Sequence, residues 1–75
     1  MQIKLTNKIA DRIEEYQANT GTTKIWICKQ LGITKQRLHS ICKADNIMLD
    51  LAFKIAYFLK TDIESLFECE VIDNR

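Results

Sequence analysis

Apolar residues recur every three or four positions along most of the chain, and this spacing predicts helices separated by short polar turns. Five helices are predicted, at about residues 8–18, 24–31, 35–41, 49–60 and 63–67. We expect Thr6 or Asn7 to cap the first of them and Thr61 or Asp62 the last. The two ends differ, because residues 1–5 and 68–75 alternate polar and apolar side chains. Each end is therefore either an extended strand or a frayed terminus.

The second and third predicted helices are hinged at a single glycine. Thr23 and Thr34 precede these helices, and a threonine hydroxyl at that position accepts a hydrogen bond from a backbone N–H of the first turn. Gly32 can adopt the left-handed conformation that ends one helix and turns the chain into the next. This arrangement is the signature of a helix-turn-helix.

The fourth predicted helix carries a wide apolar stripe, and we expect it to be the central buried element. The stripe consists of Leu49, Ala52, Phe53, Ala56 and either Tyr57 or Leu59. The chain of 75 residues is long enough for one domain, with a core at about 6–67 and an acidic tail at 68–75. The predicted fold class is therefore all-α, a compact five-helix bundle that contains the helix-turn-helix.

Charge is distributed unevenly, although the net charge is only +1. Residues 24–43 contain five cations, no Asp or Glu, and His39 as a further titratable group. The five cations are Lys24, Lys29, Lys35, Arg37 and Lys43. Residues 61–75, in contrast, hold five acids, Asp73 among them, and Arg75 as the one cation. A basic helix pair of this kind indicates a partner that carries phosphate.

Composition excludes several classes of protein. No apolar run approaches the roughly 20 residues of a membrane-spanning helix, and charges interrupt the N-terminus before any signal-peptide core. Three widely spaced cysteines favour reduced thiols in the cytoplasm. Cys28, His39 and Cys42 would supply three zinc ligands, but a C-x-x-C pair is missing and Cys28 occupies a core position. Because no nucleophile–base set or glycine-rich phosphate loop is visible, we expect no enzyme activity, no catalytic residue, no metal and no cofactor.

Two linked patterns resemble a known family. The first is T-K-x-x-I-C-x-x-L-G-I-T-K-Q-x-L-x-x-I at 23–41, and the second is L-D-L-A-F-K-I-A-Y-F-L at 49–59 followed by D-I-E-S-L-F at 62–67. Together they resemble the lambda-repressor and Cro-like (xenobiotic-response-element, XRE) helix-turn-helix family of bacterial and phage transcriptional regulators. Ala44 and Ile47 depart from the family's usual glycine and proline, so the loop before the fourth helix is expected to differ in shape.

The resemblance implies that the third helix enters the major groove of DNA and that the start of the second helix contacts the backbone. The residues implied to contact bases are Lys35, Gln36, Arg37 and Ser40, with Arg37 alternatively holding a phosphate. The residues implied to contact phosphates are Thr23, Lys24, Thr34, Lys43 and Asn46. The implied function is a sequence-specific DNA-binding regulator, of repressor type, that acts in the cytoplasm as a homodimer.

Ile25 and Trp26 stand where the family generally has polar residues. Trp26 either packs against a long first helix or is an exposed anchor for a partner or a second copy. Val71 and Ile72 of the tail are further candidates for the dimer contact, as is the fifth helix. The alternative function is a protein-interaction module on the same fold that binds and redirects a host or partner protein. Exposure of Ile25, Trp26 and Met48 in one patch would favour that alternative.

Overall fold

The computed structural model describes residues 1–72, which form five helices and one two-stranded antiparallel sheet. The elements in chain order are β1 (Gln2–Asn7), α1 (Ile9–Thr20), α2 (Lys24–Leu31), α3 (Lys35–Lys43), α4 (Leu49–Leu59), α5 (Ile63–Leu66) and β2 (Phe67–Ile72). The last three residues of the predicted acidic tail, 73–75, lie outside the described residues. None of the described helices is both long enough and apolar enough to cross a membrane.

The prediction of an all-α bundle is wrong, because both ends of the chain form strands. β1 and β2 pair antiparallel, with Ile3 opposite Val71 and Leu5 opposite Cys69. The fold is therefore mixed α and β, five helices with a two-stranded ribbon that we call the arm. A short alternating segment becomes a strand only when another segment completes its backbone hydrogen bonds. Here that segment lies at the opposite end of the chain, where local periodicity cannot detect it.

Three of the described helices, α2, α3 and α5, begin at a residue whose side chain caps the helix, whereas α1 and α4 have no side-chain cap. The hydroxyls of Thr23 and Thr34 accept hydrogen bonds from backbone N–H groups three residues on, at 3.1 Å and 3.0 Å. Asp62 caps α5 in the same way through the N–H of Ser65, at 2.9 Å. The predicted starts of α2, α3 and α5 are thereby confirmed, whereas α5 ends one residue earlier than predicted because Phe67 opens β2.

The core is built from one apolar face of each helix. Its fully buried large side chains are Ile9, Ile27, Leu31, Ile41, Ile55 and Leu66. Cys28 is buried among them, as predicted. The predicted stripe of α4 is partly wrong: Ala52 and Ala56 are buried, but Leu49, Phe53 and Tyr57 are exposed by 67%, 59% and 88%. Ile55 occupies the core position instead, because the two charged residues of α4, Asp50 and Lys54, lie one turn apart on the opposite, exposed side of the helix.

The junction between the arm and α1 is tied to the end of α3. Asn7 is not the N-cap of α1, since that position belongs to Lys8, but its Oδ1 accepts a hydrogen bond from the N–H of Ile9 at 2.9 Å. Its Nδ2 donates to the carbonyl oxygens of Ile41 and Ala44, both at 2.8 Å. One asparagine therefore satisfies groups of α1 and α3 at once, and the orientation of α3 is coupled to the base of the arm.

Candidate nucleic-acid interface

The connection between α2 and α3 is short and tightly hydrogen-bonded. Gly32 has φ 71°, in the left-handed region, and its N–H donates to the carbonyl of Lys29 at 3.2 Å. The N–H of Ile33 donates to the carbonyl of Cys28 at 3.0 Å, which gives the two bonds of a Schellman motif. The ammonium of Lys54 lies 3.9 Å from where a Cβ on Gly32 would stand. A cation there complements the negative end of the α2 dipole.

α3 presents a polar ridge to solvent and an apolar face to the core. Leu38 and Ile41 are buried, and they hold the helix against the other elements. Gln36, Ser40 and Lys43 are exposed and recur at the i, i+4, i+7 spacing of one helix face. The other two residues predicted to contact bases, Lys35 and Arg37, are also exposed and flank this ridge on its two sides.

A groove of about 480 Å³ runs along the Lys35 side of α3, between α1 and the start of α2. Its polar lining brings together Lys24, Lys35, His39 and Lys43 from two helices, with Glu14 of α1 as the acid. Two of the predicted phosphate contacts, Lys24 and Lys43, therefore share one groove with a predicted base contact.

A second groove, of about 290 Å³, lies on the Arg37 side of α3. It is lined by Arg37, Ser40 and Asn46, and by Met48 just before α4. Asn46 is thus separated from the lysines of the first groove and joined to Arg37 and Ser40. The ridge of α3 stands between the two grooves, so polar and basic groups are available on both flanks of the helix.

The cations of the α2–α3 pair have no carboxylate partner within the described chain. Ion pairs among residues 1–72 join Lys8 to Asp11 and Glu68, and Arg12 to Glu15. The first turns of α2 and α3 contain no acidic residue either, although a helix N-terminus favours negative charge. An excess of positive charge together with positive helix ends favours the binding of an anion at this face.

Thr23 and Thr34 combine capping with a free donor. Each hydroxyl oxygen accepts one backbone hydrogen bond from its own helix, which fixes the side chain at the helix N-terminus. The hydroxyl hydrogen of a capping threonine remains available to donate. Both side chains are exposed, so both can reach a phosphate oxygen in front of the helix N-terminus.

Cys42 closes the floor of the first groove and is half-buried. Burial raises the pKa of its thiol; Lys24 acts in the opposite direction, and Cys28 adds to the increase. The thiol is therefore protonated at neutral pH and contributes no negative charge to the groove. Within residues 1–72, no three His, Cys, Asp or Glu side chains form a group that could hold a metal ion.

Sequence reasoning assigned no DNA contact to His39, and it gave no role to Lys54 or Glu14. His39 follows Lys35 by one helical turn, and this i, i+4 spacing was the available signal. The positions of Lys54 and Glu14 had no such signal, because they reach the α2–α3 pair from α4 and α1. Lys54 and Glu14 therefore enter the candidate site only through tertiary packing.

Trp26 is partly packed and partly exposed. Its ring lies 6.0 Å from the ring of Phe58 of α4, which in turn lies 5.2 Å from the ring of Tyr16 of α1. The side chain remains 41% exposed, beside Ile25 at 53%. Of the other predicted partner contacts, Val71 is exposed and Ile72 is half-buried, both on β2.

No family model, curated protein or solved structure matches this chain.

Proposed function

We propose that this protein is a sequence-specific DNA-binding transcriptional regulator of repressor type, which places α3 in the major groove. It acts in the cytoplasm by occupying an operator. One α3 contacts only a few base pairs, so specific binding uses two copies on half-sites about one helical turn apart. The proposal extends the resemblance to the Cro-like regulators to the α2–α3 pair.

One observation carries the proposal: an exposed polar ridge with lysines along one flank and Arg37 along the other, none of which has a carboxylate partner among residues 1–72. The major groove, about 12 Å wide, accepts one α-helix, with a phosphate backbone on either side. In this pose Gln36 and Ser40 face base edges. Lys24 and Lys43 face one backbone, whereas Arg37 and Asn46 lie towards the other.

The side chains on the ridge and beside it can form specific hydrogen bonds with base edges. The Gln36 amide can donate a hydrogen bond to N7 of adenine and accept one from its N6 amino group. Lys35 or Arg37 can donate to O6 and N7 of guanine. Each good contact of this type contributes about 1–3 kcal/mol of discrimination. Thr23 and Thr34, held at helix N-termini, set the register on phosphates.

The test is selection from random duplexes, followed by binding measurements on the selected sequence at several salt concentrations. We expect the selected sequences to be palindromic, because two copies related by a two-fold axis read the same half-site twice. Gln36→Ala should relax sequence preference at one position of each half-site. Lys24→Ala should weaken all duplexes alike and reduce the salt slope by about one.

Lys4→Ala is the matched control, since Lys4 is an exposed lysine on the arm and away from α3. It should leave both affinity and salt slope unchanged. Absence of duplex binding at about 50 mM salt, where phosphate contacts are strong, would refute the proposal. That result would favour the protein-interaction module, for which exposed Trp26 and Ile25 are the supporting residues.

A further inference from the structure

The arm has one charged face and one apolar face, and the apolar face is uncovered. Lys4 opposite Glu70 and Thr6 opposite Glu68 alternate with the apolar pairs along the ribbon. The apolar arm face consists of Ile3, Leu5, Cys69 and Val71. Ile3 and Val71 are 54% and 58% exposed, and Leu5 is 39% exposed. The described part of the chain provides no cover for this face beyond the base of the arm.

The second uncovered apolar feature is the α4 stripe, defined as Leu49, Phe53 and Tyr57. These residues follow one another at i, i+4 and i+8, so they form one line along the outside of the helix. All three are more than half exposed. Exposed large side chains that line up in this way mark a contact surface rather than scattered surface residues.

The apolar arm face and the α4 stripe belong to one surface. A groove of about 270 Å³ is lined by Leu5 and Cys69 of the arm together with Leu49 and Ala52 of α4. A further depression, between α4 and α5, continues the surface to Phe53 and Tyr57. Glu64 lines both depressions and is the carboxylate that they share. The surface is thus mainly apolar, concave at the base of the arm, and flanked by few charges.

The exposed area matches what a dimer would bury. A compact monomer of 8.8 kDa exposes about 4,800 Å², whereas this chain exposes 5645 Å². The excess of about 850 Å² is close to the ~800 Å² that each partner buries in a standard-size interface. The radius of gyration, 13.3 Å, likewise exceeds the ~11.3 Å of a compact domain of this length.

Charge and strand stability indicate the occupant. The α2–α3 face carries five cations and repels the same face of a second copy, so a symmetric contact between two copies is favoured at another surface. An isolated two-stranded ribbon is marginally stable in water and needs cover on its apolar face. A second copy brings an identical apolar surface, with Asp62 and Glu64 as its lining carboxylates. The charges of the arm itself, Lys4, Glu68 and Glu70, lie on the opposite face of the ribbon.

We propose that the apolar arm face and the α4 stripe form a homodimer interface, in which a second copy related by a two-fold axis covers both. The exposed area of the chain, the charge of the α2–α3 face and the exposure of the apolar side chains support this interface independently of DNA. It also deepens the proposed function, and in that respect rests on it: the arm ends at Asn7, whose amide holds the last carbonyls of α3. Dimer contact at the arm therefore sets the position of the DNA-reading helix.

The test is sedimentation equilibrium without DNA, from about 1 μM to about 1 mM, since standard-size interfaces have μM or tighter affinity. We expect twice the chain mass of 8.8 kDa. Phe53→Lys and Val71→Lys should each raise the dimer Kd at least tenfold. The circular-dichroism spectrum of each variant should remain that of the folded protein. Thr6→Lys is the matched control, because Thr6 is exposed on the charged face of the same arm. It should leave the Kd unchanged.

Alkylation of Cys69 supplies a second readout, since this exposed thiol lies on the apolar arm face. Its reaction rate with a maleimide should fall as protein concentration rises. A monomer at all concentrations would overturn the proposal, as would a dimer that survives both lysine variants and is lost in Trp26→Ser. Because no DNA is present, these outcomes leave the proposed DNA binding to its own test.

Discussion

The α2–α3 face and the arm–α4 surface are both incomplete, but in opposite ways. On the α2–α3 face the apolar anchors Leu38 and Ile41 are buried, and uncompensated cations stand above them. On the arm–α4 surface the large apolar side chains Phe53 and Val71 are themselves exposed. The first surface lacks counter-charge and the second lacks cover. The partners proposed for them differ accordingly, DNA for the first surface and a second copy for the second.

The two surfaces also differ in how firmly their elements are held. α2 and α3 each have a threonine cap and a tight, fully hydrogen-bonded connection. The arm is held along its length by the ladder between β1 and β2. This difference fits the two proposed roles, because DNA recognition requires side chains in fixed positions, whereas a dimer contact can order the strands when it forms.

Asn7→Ala tests the connection between the two surfaces, and we expect the largest effect from it. The substitution removes the donor to two carbonyls and the acceptor for the Ile9 N–H, all partly buried. The free energy of unfolding should fall by about 1–3 kcal/mol, measured by urea denaturation. DNA affinity should also fall, although Asn7 is not a proposed DNA contact. Asn19→Ala, at an exposed asparagine of α1, should change stability by less than about 0.5 kcal/mol. Equal effects of the two variants would contradict the coupling.

Thr34→Ala acts on the α2–α3 face alone. Loss of the cap to the Arg37 N–H should lower the free energy of unfolding by about 1 kcal/mol, measured by thermal or urea denaturation. The same variant should weaken DNA binding, because the hydroxyl is a proposed phosphate donor. Thr34→Ser restores both the cap and the donor, and it should recover most of both losses. The dimer Kd should not change in either variant. A change in dimerisation would show that the two surfaces are less separate than their geometry indicates.

Glu14→Gln should have the smallest effect and the opposite sign. Glu14 is the acid that lines the first basic groove, and a carboxylate there repels a phosphate backbone. Its neutralisation should tighten DNA binding by only about two- to threefold, because the repulsion between this exposed carboxylate and a phosphate is screened by salt. Glu15→Gln is the control, since Glu15 pairs with Arg12 and lines a different depression. Fluorescence anisotropy at low salt would detect the difference, and tightening by both variants alike would indicate only a net-charge effect.

Much of the candidate site followed from local sequence, because its determinants lie within a few residues of one another. Thr23, Gly32 and Thr34 have the conformations and hydrogen bonds that their residue types predict. The grooves did not follow, since Lys24, Lys43 and Glu14 come from three different helices. No spacing along the chain reports a distance between side chains on separate elements.

The prediction of the fold class was wrong for a related reason. Residues 1–5 and 68–75 were each compatible with a strand or a frayed end, and only their pairing decided between these states. In α4, alanines 52 and 56 are buried where a wider stripe was predicted, and Phe53 is exposed. Asp50 and Lys54 are exposed on the same side as Phe53, so these two charges mark the outer face that the predicted stripe overlapped.

The sequence by itself determined where α2, α3 and α5 start, where α2 turns into α3, and which stretch carries the positive charge. Capping hydrogen bonds, glycine conformation and residue charge act within one or two helical turns, so local order is enough to specify them. Only the tertiary structure decided that the chain ends pair, that Asn7 joins the arm to α3, and that apolar α4 residues face outwards. These features depend on contacts between distant residues, whose geometry exists only once the core has formed.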